Sequence, residues 1–304
     1  MTPSELLLIG AGGFAAGAVN AVAGGGTFFS FPALLAVGLP PVVANASNSV
    51  ALWPGSLSSA WAYRRELVAY KRYLLPMGIA SLLGGITGGL LLLAAGDARF
   101  AALIPWLLAF ATALFAFSPQ LSALLKKIRQ RSDGVMPAAL RLHAECAPAM
   151  PNSALQHRHG DKSAPAALAA APINAAAQSP ADHGAGSPAG WLAQLLVSIY
   201  GGFFGAGMGI LMMASLAIGG HEDVQHINAL KNLLSAVIYS VTVVTFIAAG
   251  AVSWPHTLAM LLTASAGGYA GARLARRMQG PWLRRSVIAV GGALTFYYFD
   301  KARG

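Results

Sequence analysis

Asn20-Ala21-Val22-Ala23-Gly24-Gly25-Gly26-Thr27 sets three glycines between two apolar stretches, and Asn45-Ala46-Ser47-Asn48-Ser49 follows soon after. The second half of the chain repeats the layout. Gly205-Ala206-Gly207-Met208-Gly209 precedes Asn228-Ala229-Leu230-Lys231-Asn232. A shift of 207 − 24 = 183 residues pairs Gly24 with Gly207, Gly26 with Gly209, Asn45 with Asn228 and Ala46 with Ala229. It also pairs Gly84, Gly85 and Gly88 with Gly267, Gly268 and Gly271. Glycines in a glycine-rich chain match by chance; the coincident Asn-Ala pairs are less trivial. The chain reads as an internal duplication.

Composition places this duplication in a bilayer. The 304 residues are 56% hydrophobic and only 10% charged, with a mean hydropathy of +0.60. A soluble domain carries roughly 25% charged residues. Membrane β-strands alternate with period two, which runs such as Leu90-Leu91-Leu92-Leu93-Ala94-Ala95 do not. The expected fold is therefore an all-α polytopic membrane protein. A net charge of +10 suggests nucleic acid in a soluble protein. Here the bases sit in loops between apolar segments, so positive-inside topology accounts for them and no nucleic-acid partner is expected. The single cysteine, Cys146, excludes an intramolecular disulfide and a multi-cysteine metal site. Ala21-Val22-Ala23 has the small-residue pattern of a signal cleavage site. No Lys or Arg precedes that first apolar run, however, and Glu5 stands where positive charge is expected. Residues 4–23 are read as a retained membrane segment.

Three divisions follow. Residues 1–119 form a first membrane repeat and 191–304 a second. Residues 120–190 form an Ala/Pro/His-rich linker, with too little apolar surface to offset ordering entropy, and are expected to be mostly disordered. Beyond the opening blocks, membrane segments are expected at 42–62, 73–95 and 102–118, and at 225–249, 257–274 and 286–299. The basic loops at 64–72, 126–131 and 273–285 are assigned to the cytoplasm; those at 97–101 and 250–256 are external. The repeat shift carries a cytoplasmic loop of one half onto an external loop of the other, so the halves are inverted. Each half is then a Gly-tipped helical hairpin plus three transmembrane helices. Arms 27–37 and 208–219 are too short, at about 1.5 Å per residue, for a core of about 30 Å, which favours re-entrant pieces. Both termini face outside and the linker lies in the cytoplasm.

The candidate site comes from the same repeats. Glycine permits positive φ and close backbone approach. A half-helix starting after a tip points unpaired N–H groups and a positive dipole end into the interior, a ready anion site. This marks Gly24, Gly25, Gly26, Gly207 and Gly209. On a helix Asn45 shares a face with Asn48 and Ser49, and Asn228 with Lys231 and Asn232. Asn45, Asn48, Ser49, Asn228 and Asn232 are expected to supply neutral hydrogen bonds to the anion and Lys231 the attracting charge; helix capping is the alternative account of Asn45. It does not cover Lys231, the sole Lys or Arg between Lys162 and Arg273. A cation at depth is costly and usually faces a cavity or partner; snorkelling to the interface is the alternative. Gly84/Gly88 and Gly267/Gly271 have the spacing that serves helix contact.

Other features have plainer readings. His221 and His226 are five apart, not the four of a zinc motif, and read as loop and cap. Linker histidines read as solvated, and Glu66 as a surface partner of Arg64 and Arg65. Trp53, Trp61, Trp106, Trp254 and Trp282 read as interfacial anchors. No catalytic set, metal site or cofactor is expected, and the chain is not read as an enzyme.

Gly17-Ala18-Val19-Asn20-Ala21-Val22-Ala23-Gly24-Gly25-Gly26-Thr27, Pro32-Ala33-Leu34-Leu35 and Val43-Ala44-Asn45-Ala46-Ser47-Asn48-Ser49 together resemble the sulfite exporter TauE/SafE family. Asn228-Ala229-Leu230-Lys231-Asn232 is similar to that family's second copy. The resemblance covers about 4–118 and 191–299, not the linker. It implies a multi-pass transporter of the bacterial cytoplasmic (inner) membrane, associated with sulfite, sulfonates and other small organosulfur or carboxylate anions. Met208 interrupts the family's second glycine run, and the long linker departs from its pattern. The resulting expectation is secondary transport, in the export direction, of a small anion by alternating access, with a proton or sodium as the candidate coupling ion and the lipid bilayer as surroundings. A non-transporting membrane scaffold is the first rival and a membrane-embedded enzyme the second. The orientation predicts that Cys146 resists a membrane-impermeant thiol reagent in intact cells and reacts after lysis; labelling in intact cells would reverse it.

Overall fold

The structure is a computed structural model describing residues 1–23, 25–62, 64, 71–133, 188–218, 224–275 and 280–303. Among these residues there are nine helices and no strand. Helix α1 (Pro3–Ala23) turns at Gly25 and Gly26 into the short α2 (Thr27–Ala36). Gly38, at φ +86, ends that hairpin. Its N–H bonds the Leu35 carbonyl and the Leu39 N–H bonds that of Leu34, a glycine-terminated helix end. Helix α3 (Pro41–Ala62) opens on a proline, which has no N–H to leave unpaired at a first helical position. The Asp97 carboxylate accepts the Val42 N–H at 2.9 Å, placing an acidic group on the positive end of α3.

Helix α4 (Lys71–Asp133) differs from expectation in two ways. The sequence reading places a loop at 97–101 between segments 73–95 and 102–118. Instead the helix is broken at one residue, Gly96, with φ 70 and ψ 171, and its second arm starts directly at Asp97. Glycine's missing Cβ makes this left-handed conformation accessible within one residue. The second arm also continues beyond residue 120 to Asp133, into the stretch read as linker. Compact packing divides the chain into one unit of Met1–Ser122 with Asp182–Gly304, and a second of Ala123–Ala181.

The second half comprises α5 (Pro188–Phe203), α6 (Met208–Ile218), α7 (Val224–Ala248), α8 (Trp254–Ala275) and α9 (Gly280–Arg303). Pro41, Lys71 and Asp97, moved by the repeat shift of 183, fall on Val224, Trp254 and Gly280. These are the first residues of α7, α8 and α9.

Glycines set the closest helix contacts, and the contacts run between halves. Helix α1 packs on α8: a Cβ at Gly17 would run into the Ala264 carbonyl oxygen, and one at Gly267 into that of Phe14. The first arm of α4 packs on α5: a Cβ at Gly88 would run into the Ile199 carbonyl, and one at Gly84 would lie 2.8 Å from that of Leu195. Without a hydrophobic drive between helices in lipid, such backbone proximity supplies the dispersion contact that holds a bundle.

Polarity is inverted relative to a soluble protein. Leu7, Leu75, Phe117, Leu262 and Phe296 are exposed, while Ser30, Ser47, Ser81, Gln194 and Ser198 are completely buried. The segments Leu74–Ser118 and Ile227–Ala248 are long and apolar enough to cross a bilayer; Thr27–Ala36 and Gly190–Phe203 are shorter apolar helices. Trp61, Trp106 and Trp254 are exposed, but Trp53 is half-buried and donates to Ser240 Oγ at 2.9 Å. It links α3 to α7, a role beyond interfacial anchoring.

The packing carries a test. Gly17→Leu should destabilise the protein by about 1–3 kcal/mol, as overpacking does, and lower its melting temperature in detergent. Gly55→Ala is the control: a Cβ there meets nothing within 4 Å, so melting should hold or rise slightly.

Candidate functional site

The two glycine tips lie against the same turns of α4. A Cβ at Gly25 would lie 2.7 Å from Phe115 Cζ, and one at Gly207 would lie 3.6 Å from Ala111 Cβ and Leu114 Cδ1. They reach this position by different backbone routes. Gly205 and Gly207 adopt positive φ of 80 and 75, which strongly favours glycine. Gly26 is helical, at φ −57 and ψ −36; glycine is required there for space. A Cβ at Gly26 would lie 2.6 Å from the Ala16 carbonyl oxygen and 3.1 Å from Asn20 Cβ. Gly24 lies outside the described residues, as do Glu66, Cys146, His221 and the linker histidines.

An aromatic wall closes the space between the hairpins. Phe31 of α2 meets Phe204 edge-on at 5.5 Å, and Phe100 of α4 meets Phe203 at 5.5 Å. Phe28 meets Phe115 at 5.6 Å. The second tip's backbone is tied down as well: the Tyr200 hydroxyl donates to the Ala206 carbonyl at 2.5 Å.

The patch at Asn45 is buried and connects the hairpins. Asn45 and Asn48 are 1% exposed. Asn45 lies inside α3, which starts at Pro41, so helix capping does not explain it. Its Nδ2 donates to the Phe203 carbonyl at 3.0 Å, at the end of α5 just before the second tip. Asn48 Oδ1 accepts a short hydrogen bond from Ser30 Oγ, on the helix that follows the first tip. Ser49 Oγ donates to the Asn45 carbonyl at 3.0 Å. One face of α3 thus touches both hairpins. Among the described residues Asn45 Oδ1 is buried with no hydrogen-bond partner, so half of that amide is left over from the architecture.

The second patch is more open. Asn228, Lys231 and Asn232 on α7 are half-buried. A Cβ at Gly209 would lie 3.6 Å from Lys231 Cδ, so the lysine stem runs beside the start of α6. Among the described residues Lys231 has no acidic partner; the ion pair they contain joins the amino terminus to Glu5. No hydrogen bond joins Lys231 to the Asn45 patch among those residues.

Several residues here escape sequence reasoning. Tyr239 of α7 is within hydrogen-bond reach of Thr27, and its hydroxyl would lie 3.6 Å from a Cβ at Gly205. It stands between the tips, yet in sequence it is one tyrosine in an apolar helix. Ser47 Oγ accepts the Ser253 N–H at 3.0 Å, fixing the α7–α8 turn to α3. Gln194 Nε2 donates to Ser81 Oγ at 2.8 Å, joining α5 to α4. A polar residue at small-residue helix spacing was the only available signal for these.

Two cavities lie beside the tips, and neither is lined by the Asn45 or Lys231 patches. One, of about 520 Å³, lies between α1, α3 and α8 and reaches Asn20, Ser58, Ser59 and Ser265. The other, of about 1110 Å³, lies between α1, α2, the second arm of α4 and α9.

The model of the sulfite exporter TauE/SafE family matches residues 9–298. The chain belongs to this family. Its members are membrane transporters and not enzymes. A relative from Haemophilus influenzae, described as a probable membrane transporter protein, is 33% identical over 109 residues, covering 36% of this chain and 43% of the relative. The probable membrane transporter protein ORF9 of Sinorhizobium sp is 31% identical over 108 residues, covering 36% of this chain and 41% of its own. The chain thus aligns with less than half the length of these curated relatives. No solved structure matches it. For this TauE/SafE member, Asn45→Ala leaves the Phe203 carbonyl without its donor. An unsatisfied buried acceptor costs about 1–3 kcal/mol, so melting in detergent should fall, with Asn45→Asp recovering less than full stability because a carboxylate cannot donate.

Proposed function

We propose that this TauE/SafE protein is a secondary transporter, working as an exporter, of a small anion such as sulfite, a sulfonate or another organosulfur compound. The observation that carries the reading is the meeting of two broken helices on one stretch of α4, with a polar helix face joining them. Transporters of inverted-repeat design place broken helices at the midplane, where their ends bind the cargo. The repeated element starts and the reciprocal packing of α1 on α8 and α4 on α5 support inverted repeats. Helices α2 and α6, of 10 and 11 residues, are short enough to be re-entrant.

Each part of the site has a role in this reading. Gly24, Gly25, Gly26, Gly207 and Gly209 bring backbone N–H groups and helix N-termini to the anion. Asn45, Asn48, Ser49, Asn228 and Asn232 supply neutral hydrogen bonds. Lys231, without an acidic partner among the described residues, supplies the attracting charge. The tips are packed shut by Phe31, Phe100, Phe115 and Phe204, which suits an occluded arrangement that opens as one hairpin moves against the other. The cavity reaching Asn20, which abuts Gly26, provides a way in from the side bearing the 64–72 loop. Both termini face outside, the linker faces the cytoplasm of an inner membrane, and a proton or sodium gradient is the coupling source to be tested.

Purified protein in liposomes tests this directly. Saturable flux is expected for at least one of sulfite, thiosulfate, sulfoacetate or a small carboxylate under an imposed proton or sodium gradient. Lys231→Gln should lower that flux by roughly tenfold or more, the scale of charge-steered entry, and Lys231→Arg should retain most of it. No saturable flux for any of the anions would sink the transport reading; flux indifferent to Lys231→Gln would remove Lys231 from the path.

A further inference from the structure

The larger cavity is a groove with a strong polarity gradient. Helix α9 forms one wall from Val290 to Lys301, with Phe28 and Leu35 of α2, Leu8 of α1 and Ile104 of α4 on the others. Lys301 is the single charged residue among its lining residues. It is exposed, and it lies beyond Tyr297 and Tyr298 at the end of α9. From Val290 to Lys301 the helix advances about 16 Å at about 1.5 Å per residue. That matches one leaflet, about half of a core about 30 Å thick. Tyrosines at the headgroup level and a lysine beyond them are the usual furniture of a membrane interface. At about 1110 Å³ the groove exceeds the 300–1,000 Å³ of ordinary small-molecule pockets.

We propose that this groove holds an acyl chain of an anionic phospholipid from the leaflet on the Lys301 side, with the lipid phosphate against the Lys301 ammonium. Charge complementarity selects the headgroup, and the one-leaflet length selects a lipid tail over a transmembrane helix, which needs the full thickness. The deep end of the groove is Phe28, whose ring packs on Phe115, and Phe115 is the residue that fills the space beside Gly25. A bound tail therefore presses on the ring that abuts the first glycine tip, so lipid occupancy and tip position are linked. The site stands on the membrane placement alone and does not depend on which anion is carried.

The full chain in detergent, examined by native mass spectrometry with phosphatidylglycerol and phosphatidylethanolamine of matched tails, tests the proposal. One phosphatidylglycerol should be retained about fivefold more tightly than phosphatidylethanolamine, the scale of one lysine at an anionic surface. Lys301→Gln should abolish the preference and Lys301→Arg should keep it. Ala102→Trp, which fills the groove from an exposed position on α4, should weaken both lipids. Lys301 is exposed, so its variants should elute as the parent does. Equal retention of the two lipids, or a preference that survives Lys301→Gln, overturns the proposal. So does a two-chain species that Ala102→Trp dissolves while lipid retention is unchanged, since a second copy would then be the occupant.

Discussion

A helix that stops inside an apolar medium exposes carbonyls at one side of the break and N–H groups at the other, and lipid satisfies neither. Each unpaired group there costs several kcal/mol, so non-helical backbone at depth survives only against protein or water. The bundle answers this constraint at both breaks with its own side chains. Asn45 serves the Phe203 carbonyl, Tyr200 serves that of Ala206, and Ser30 joins Asn48. A wall of protein surrounds these sites, built by the buried Phe31, Phe100, Phe115 and Phe204. The aromatic cluster and the polar α3 face are thus two parts of one solution.

The same constraint explains why glycine is spent so freely. At Gly17, Gly88 and Gly267 it lets one backbone touch another, so α1 is held by α8 and α5 by α4. Each half is closed by a helix of the other. Two hairpins gripped this way can share one site, because neither has a complete wall without its partner repeat. At Gly205 and Gly207 the purpose changes to conformation, with φ near +80. At Gly96 a single left-handed residue replaces the loop expected at 97–101.

The asymmetry between repeats lies in their chemistry. The first patch is neutral, buried and largely committed to holding the hairpins. The second is half-open and carries Lys231 beside Gly209. One copy is tied into the packing of both hairpins, while the other leaves a lysine without an acidic partner among the described residues. Asn45 Oδ1 is the atom of that first patch left buried without a hydrogen-bond partner among the described residues.

How much of this was legible in the chain follows from which forces are local. Hydropathy, the glycine runs and the repeat shift of 183 are properties of neighbouring or equally spaced residues. They pointed to helices, to the hairpin breaks and to the family without any contact being known. The Asn-Ala pairs drew attention to Asn45 and Lys231 because a polar cluster in an apolar run is conspicuous on its own. Capping was the local alternative for Asn45, because asparagine near a helix start is a common cap. Only the tertiary structure puts it inside α3 with its amide on Phe203, 158 residues away. Tyr239, Ser47, Trp53 and the Phe28–Phe115 contact were invisible for the same reason: their partners lie on other helices, and their residue types are unremarkable in a membrane segment. The sequence determined where helices must break, since glycine and polarity act locally; which side chains heal each break was decided by packing, because the unpaired group and its donor come from different parts of the chain.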